Sequence, residues 1–143
     1  MMTIINYGLG NVQAFANLYK RMNVPAQIAT SAADLQGATK LILPGVGAFD
    51  HAIELFDASG MRETVDDLVI ARNVPVLGVC VGMQILAGSS DEGKLPGLGW
   101  IEGRVRRFDE SRLPSPARLP HMGWNDVVPK NGVRLFEIGR AHV

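Results

Sequence analysis

Cys80 is the one cysteine in a chain of 143 residues, and a glycine stands two positions to either side of it. The stretch Pro75-Val76-Leu77-Gly78-Val79-Cys80-Val81-Gly82-Met83-Gln84 opens on an apolar strand, Val76 to Val79. It leaves through Met83 to Ala87, a run able to begin a helix. A nucleophile presented at a sharp strand-to-helix turn needs this layout. The turn brings backbone close to backbone, and glycines leave open the space that Cβ atoms would fill. A sulfur at such a turn lies beside a helix N-terminus, where the positive end of the dipole favours thiolate. The chemistry on offer is attack on an acyl carbon, which needs preorganised donors for the oxyanion and a base for the proton.

A second segment offers the donors. Lys40-Leu41-Ile42-Leu43 reads as a strand apolar on both faces, as a buried parallel strand is. It runs straight into Pro44-Gly45-Val46-Gly47-Ala48-Phe49. A glycine-rich loop there exposes backbone N–H groups at the carboxyl end of a sheet, where open α/β folds build their sites. No base stands out in the same way. Of the three histidines, His51 reads as a helix-surface residue and His121 as a structural or interface residue beside Trp124, and His142 lies in the last residues of the chain. One cysteine and three scattered histidines give no metal-ligand spacing, so no metal is expected. Gly8-x-Gly10 opens like a dinucleotide fingerprint but has Gln13 where the third glycine belongs, and no cofactor is expected either.

The elements that have to position these residues alternate along the chain. Thr3 to Asn6 reads as a first strand and Tyr7 to Asn11 as a turn. A helix follows, with Val12, Phe15, Ala16, Tyr19 and Met22 on one face and Asn11 as N-cap. Pro25 to Ala29 is a second strand, and Ser31 with Asp34 looks like a capping start. Helices are expected from Ala48 to Phe56 and from about Met61 to Arg72, before the strand that delivers Cys80. Beyond Ala87 come a polar loop, Ser89 to Lys94, and a turn-rich stretch with Trp100. A strand is expected over Arg104 to Phe108, an exposed loop over Asp109 to Pro116, and order again from Leu119 to Val128. Strands alternating with helices predict an α/β fold with a mostly parallel, doubly wound sheet.

Composition narrows the setting. Hydrophobic residues make up 47% of the chain and charged residues 20%, and the formal net charge is zero. No basic stripe suggests nucleic acid, no apolar run approaches a membrane span, and the N-terminus has no signal-peptide pattern. A single cysteine fits a reducing compartment, so a cytoplasmic protein is expected.

Four motifs together resemble one family. Asn6-Tyr7-Gly8-Leu9-Gly10-Asn11, Leu43-Pro44-Gly45-Val46-Gly47-Ala48-Phe49, Gly78-Val79-Cys80-Val81-Gly82-Met83-Gln84 and Pro120-His121-Met122-Gly123-Trp124-Asn125 match the class I, triad-type glutamine amidotransferases in order and spacing. The likeness extends to about Phe136. It implies a flavodoxin-like domain that hydrolyses glutamine to glutamate and ammonia, with Cys80 as nucleophile. It also implies backbone N–H groups of Val46, Gly47 and Val81 as the oxyanion hole, and Gly45, Gln84 and Glu92 as contacts of the glutamine substrate. The first and last motifs are similar to the branch that forms a heterodimer with a (β/α)8-barrel cyclase subunit. That subunit uses the ammonia to make imidazole glycerol phosphate in histidine biosynthesis. Asn11, His121 and Trp124 would then face the partner.

The resemblance also sets expectations for the end of the chain. The family's catalytic His and Glu stand near the C-terminus of longer chains, beyond Val143. Residues 1–137 are therefore expected to be a partial amidotransferase domain that is inactive by itself, with residues 138–143 a non-native tail. Three alternatives stay open: a paralogous glutaminase feeding a sugar amidotransferase of surface polysaccharide synthesis, a non-catalytic docking subunit, and a cysteine-elbow hydrolase or chaperone that needs no glutamine.

Overall fold

The computed structural model describes residues 1–112 together with Gly123, Trp124, Asp126 and Val128. Met1–Phe108 form one compact unit and Asp109–Val143 a second. In the second unit, a 3-10 turn over Glu110–Arg112 is closed by Asp109. Its Oδ1 accepts from the Ser111 N–H at 3.1 Å and the Ser111 hydroxyl at 2.6 Å, while Trp124 and Val128 are exposed. His121, most of the motif around it, and residues 138–143 lie outside the described residues.

The first unit is built on four parallel strands, β1 (Met2–Ile5), β2 (Ala26–Ala29), β3 (Lys40–Gly45) and β4 (Val76–Cys80), in the order β2-β1-β3-β4. The inner strands carry the longest apolar runs. Ile4, Ile5, Ile42 and Leu43 are all buried, as a strand covered on both faces requires. Helix α1 (Val12–Arg21) joins β1 to β2. Helix α2 (Phe49–Ala58), helix α3 (Arg62–Asp66) and a π-helical turn (Asp67–Ala71) join β3 to β4. The two connections run outward in opposite directions from the β1–β3 pair. Right-handed crossovers therefore put α1 on one face and α2 and α3 on the other. Leu43, Phe49, Ile53, Phe56, Met61 and Val65 fill the core beneath α2 and α3.

The predicted α/β architecture is the one observed, with differences at element ends. Asn11 caps α1 as expected, its Oδ1 accepting from the Ala14 N–H at 3.0 Å. The expected helix from Met61 to Arg72 keeps its course but changes pitch at Asp67, and Arg72 N–H donates to Asp67 O at 3.0 Å. The helix expected after Cys80 is the single turn α4 (Val81–Gln84). It stops because the chain turns at once into β5 (Ala87–Ser90), which pairs in parallel with β6 (Ile101–Val105). The last strand thus starts three residues before the Arg104 predicted for it. Gly97 permits this early pairing, since a Cβ there would strike the Ala87 carbonyl. Its N–H bonds Gly88 O at 3.0 Å, while Leu98 N–H bonds Ile85 O at 2.8 Å.

Candidate active site

Two strand ends build the site. Leu43, Pro44 and Gly45 of β3 are in parallel register with Gly78, Val79 and Cys80 of β4, so Gly45 stands directly beside Cys80. At that point both chains leave the sheet: β3 into the Val46-Gly47-Ala48 loop and α2, β4 into α4. The order of crossovers reverses between β1 and β3. The loops after those strands therefore line the crevice in which open α/β sheets bind ligands. Gly10, in the loop after β1, packs on Pro44, where a Cβ would come within 2.8 Å of the Pro44 Cβ.

The turn at Cys80 has the conformation of a nucleophile elbow. Cys80 has φ 57° and ψ −123°, a backbone state that glycine adopts freely and that costs another residue roughly 1–3 kcal/mol. Glycines make the strained turn possible. A Cβ on Gly78 would come within 2.5 Å of the Met83 Cα, and one on Gly82 would strike the Leu43 carbonyl. A Cβ on Gly45 would strike the Gly82 nitrogen. The elbow and the Pro44–Ala48 loop thus meet backbone to backbone. The sulfur is exposed. Helix α4 is only one turn long, too short to supply the helix dipole expected beside the sulfur.

Val46 and Gly47 are exposed beside the cysteine, and Gly47 has φ 97°. Val81 is buried directly after it, and Gln84 is half-buried with a buried Oε1 that has no hydrogen-bond partner among the described residues. Glu92 is exposed in the loop after β5. That loop is tied to the start of α2, where the Asp50 carboxylate accepts from the N–H of Lys94 at 3.0 and 2.9 Å and of Leu95 at 3.0 Å. On its other side Asp91 pairs with Arg104 at 2.5 Å and accepts from the Arg107 N–H at 3.1 Å. The Arg107 N–H first, then the Arg104 guanidinium, holds the Asp91 carboxyl below its usual range. Asn11 is exposed, its side chain engaged as the cap of α1.

Sequence reasoning missed two residues. Asp50 carries no signal beyond being acidic in a helix's first turn, because its partners are backbone N–H groups more than forty residues away. Tyr7, which the sequence places in a turn, is only 4% exposed. Its ring packs edge-on against Phe56 at 5.4 Å, and its hydroxyl has no partner among the described residues. An unpartnered buried hydroxyl costs about 1–3 kcal/mol, so its position calls for a reason. Burial, and after it the nearness of Cys80, push the phenol up to about 12. Trp100 is half-buried against the core: its ring meets Phe56 edge-on, and its Nε1 donates to Asp66 at 2.6 Å.

An α/β sheet with a strained cysteine elbow against a glycine loop is the arrangement that acyl transfer to a thiol requires. The family model for class I glutamine amidotransferases matches residues 3–142, and the chain belongs to that family. It is 59% identical over 137 residues to imidazole glycerol phosphate synthase subunit HisH of Bdellovibrio bacteriovorus, covering 96% of this chain and 67% of that one. It is 48% identical over 127 residues to the HisH subunit of Leptospira interrogans, covering 89% and 62%. To HisH 2 of Pseudomonas aeruginosa it is 42% identical over 130 residues, covering 91% and 63%. The chain thus spans about two thirds of the length of these relatives. A solved structure described as a glutamine amidotransferase superposes with a TM-score of 0.61 at 23% identity, covering 74% of this chain and 56% of that one. That likeness bears on the fold alone.

Among the described residues no group of three or more His, Cys, Asp or Glu side chains is placed to hold a metal, and no helix is long and apolar enough to cross a membrane.

Proposed function

We propose that this chain is the nucleophile-bearing part of a cytoplasmic glutaminase that supplies ammonia to a (β/α)8-barrel cyclase subunit making imidazole glycerol phosphate. The register that sets Gly45 beside a strained, exposed Cys80 is the observation that carries this reading. The Cys80 sulfur attacks the side-chain amide carbon of glutamine. N–H groups of Val46 or Gly47, with that of Val81, take the charge developing on the amide oxygen. The C–N bond breaks, the nitrogen gains a proton and leaves as ammonia, and water clears the glutamyl thioester to give glutamate. Gly45, Gln84 and Glu92 bind the rest of the substrate, with Asp50 fixing the loop that carries Glu92. Asn11, His121 and Trp124 are the proposed contacts of the cyclase.

The proton transfers need a base, which the resemblance puts in the part of the longer relatives that this chain does not span, and His51 is on the exposed side of α2 with Glu54 at 3.9 Å. The 143-residue chain by itself is therefore expected to acylate on Cys80 without turning glutamine over. A diazoketone analogue of glutamine tests this. Intact-mass analysis should show one adduct, on Cys80, formed faster than the adduct with iodoacetamide and suppressed by glutamine. Reaction without preference for the glutamine shape would remove glutamine as substrate. Steady glutamate release by the chain alone would remove the inactivity. Co-purification with the cyclase subunit of the relatives separates this partner from a sugar amidotransferase.

A further inference from the structure

The unexplained group nearest the elbow is the Tyr7 hydroxyl. It lies 2.9 Å from the point where a Cβ on Gly45 would stand, so it fills the space that this glycine leaves open. Gly45 is the register partner of Cys80 and packs on the Gly82 nitrogen. The hydroxyl is therefore at the junction of the three segments that build the site: the end of β1, the end of β3 and the elbow. Buried hydroxyls are normally hydrogen-bonded, and this one has no partner among the described residues.

We propose that Tyr7 is a positioning residue for the nucleophile, its hydroxyl being the fixed donor that favours a thiolate at Cys80 and orients the sulfur beside the Gly45 loop. In the resting arrangement the sulfur is exposed and the bond is not made. A thiolate is an acceptor, and the proposed role requires that rotation about the Cys80 χ1 bring it within reach of the donor. The raised phenol supports the role, because Tyr7 keeps its proton throughout the range in which a thiolate forms and never adds a second negative charge.

Among the described residues few ionisable groups surround the elbow, and Glu92, in the loop after β5, is exposed to solvent. Helix α4 and strand β5 carry none, and β3 carries only Lys40, at the end away from Gly45. On α2, which packs on α4, Asp50 is engaged by Lys94 and Leu95, His51 faces Glu54, and Asp57 pairs with Arg62. The inference needs the elbow and not the glutamine reading, so either can fail alone.

The test uses the single thiol of the full 143-residue chain. The rate of Cys80 alkylation by iodoacetamide is measured from pH 5 to 10, in wild type and Tyr7→Phe. Removing the hydroxyl should move the midpoint up by about half a pH unit and slow alkylation at pH 7 by about threefold, the same free energy expressed twice. A thermal melt should show Tyr7→Phe at least as stable as wild type, since an unpartnered group is lost. Phe56→Leu, which disturbs the packing under Tyr7 but keeps the hydroxyl, should lower the melt and leave the midpoint in place. A Tyr7→Phe profile that superimposes on wild type overturns the proposal. So does a Tyr7→Phe chain without a cooperative melt, because the hydroxyl would then be holding the fold.

Discussion

The two outer strands of the described four-stranded sheet end in turns held by opposite means. At the end of β2, side chains do the holding. Asp34 Oδ2 accepts from the N–H groups of Thr30 and Ser31, both at 2.9 Å, and from their hydroxyls at 3.2 and 2.9 Å. Gln27 adds a bond to the Asp34 carbonyl at 2.8 Å and another to the Thr3 hydroxyl at 3.2 Å. At the end of β4 no side chain caps the turn. Backbone meets backbone through Gly45, Gly78 and Gly82, and Cys80 bears the strain. A turn built from side-chain acceptors can loosen by degrees, because each bond is replaceable by water. A turn built from close backbone approach has no such tolerance, and that rigidity fixes the direction of the Cys80 side chain's departure from the backbone.

The comparison breaks hardest at Gly82. Gly82→Ala would push a methyl into the Leu43 carbonyl, with the Leu43 and Pro44 carbonyl carbons within 2.9 Å. None of these is the end of a flexible side chain. A loss of about 3 kcal/mol or more is expected, at the upper end of overpacking costs, read as a lower urea midpoint with a loss of Cys80 accessibility. A Gly82→Ala chain as stable as wild type would mean that the strand ends are not locked together. The second effect has the opposite sign. Cys80→Gly places the residue that φ 57°, ψ −123° favours and removes a side chain that is exposed, so little packing goes with it. Stability should rise by about 1 kcal/mol, the strain relieved less the extra chain entropy of glycine. Cys80→Ala, which keeps a Cβ, should show no such gain. Equal melts for the two variants would show that the elbow is not strained.

The same contrast explains what the sequence revealed. The β4 turn was legible because Gly78-x-Cys80-x-Gly82 has few physical purposes, and the β3 loop because Pro44 and Gly45 directly follow a buried strand. Asn11 was legible because a cap is local; Ser31 and Asp34 do bond each other, but the 3-10 turn that follows Ser31 has Ala32 at its N-cap position and no side-chain cap. Asp50 and Tyr7 were not legible, and both act across the fold. Asp50 finds its partners in a loop beyond β5. Tyr7 enters the core only because β1 lies next to β3 and Gly45 leaves the room. The switch of pitch at Asp67 and the early start of β6 escaped for a related reason. Apolar periodicity shows which face is buried but does not fix the hydrogen-bond ladder or the strand register, which packing elsewhere decides.

The smallest expected effect is at the β2 end and depends on pH. The Thr30 N–H, and after it the Ser31 and Thr30 hydroxyls, hold the Asp34 carboxyl below its usual range. A carboxyl lowered in the folded state stabilises the fold above its unfolded value, and that contribution fades as pH falls through the folded one. Wild type should therefore exceed Asp34→Asn in stability by a constant margin from neutral pH down to about 5, with the margin closing below about pH 4. Urea midpoints of both chains at intervals from pH 7 to 2 would trace it. Because the carboxylate is in open solvent, added salt should shrink the margin as well. The glycine-locked turn at Cys80, having no ionisable side chain in its hold, should leave the penalty of Gly82→Ala the same at every pH at which the wild type is folded. A Gly82→Ala penalty that follows the Asp34 margin with pH would mean that the two strand ends are not held by different means after all.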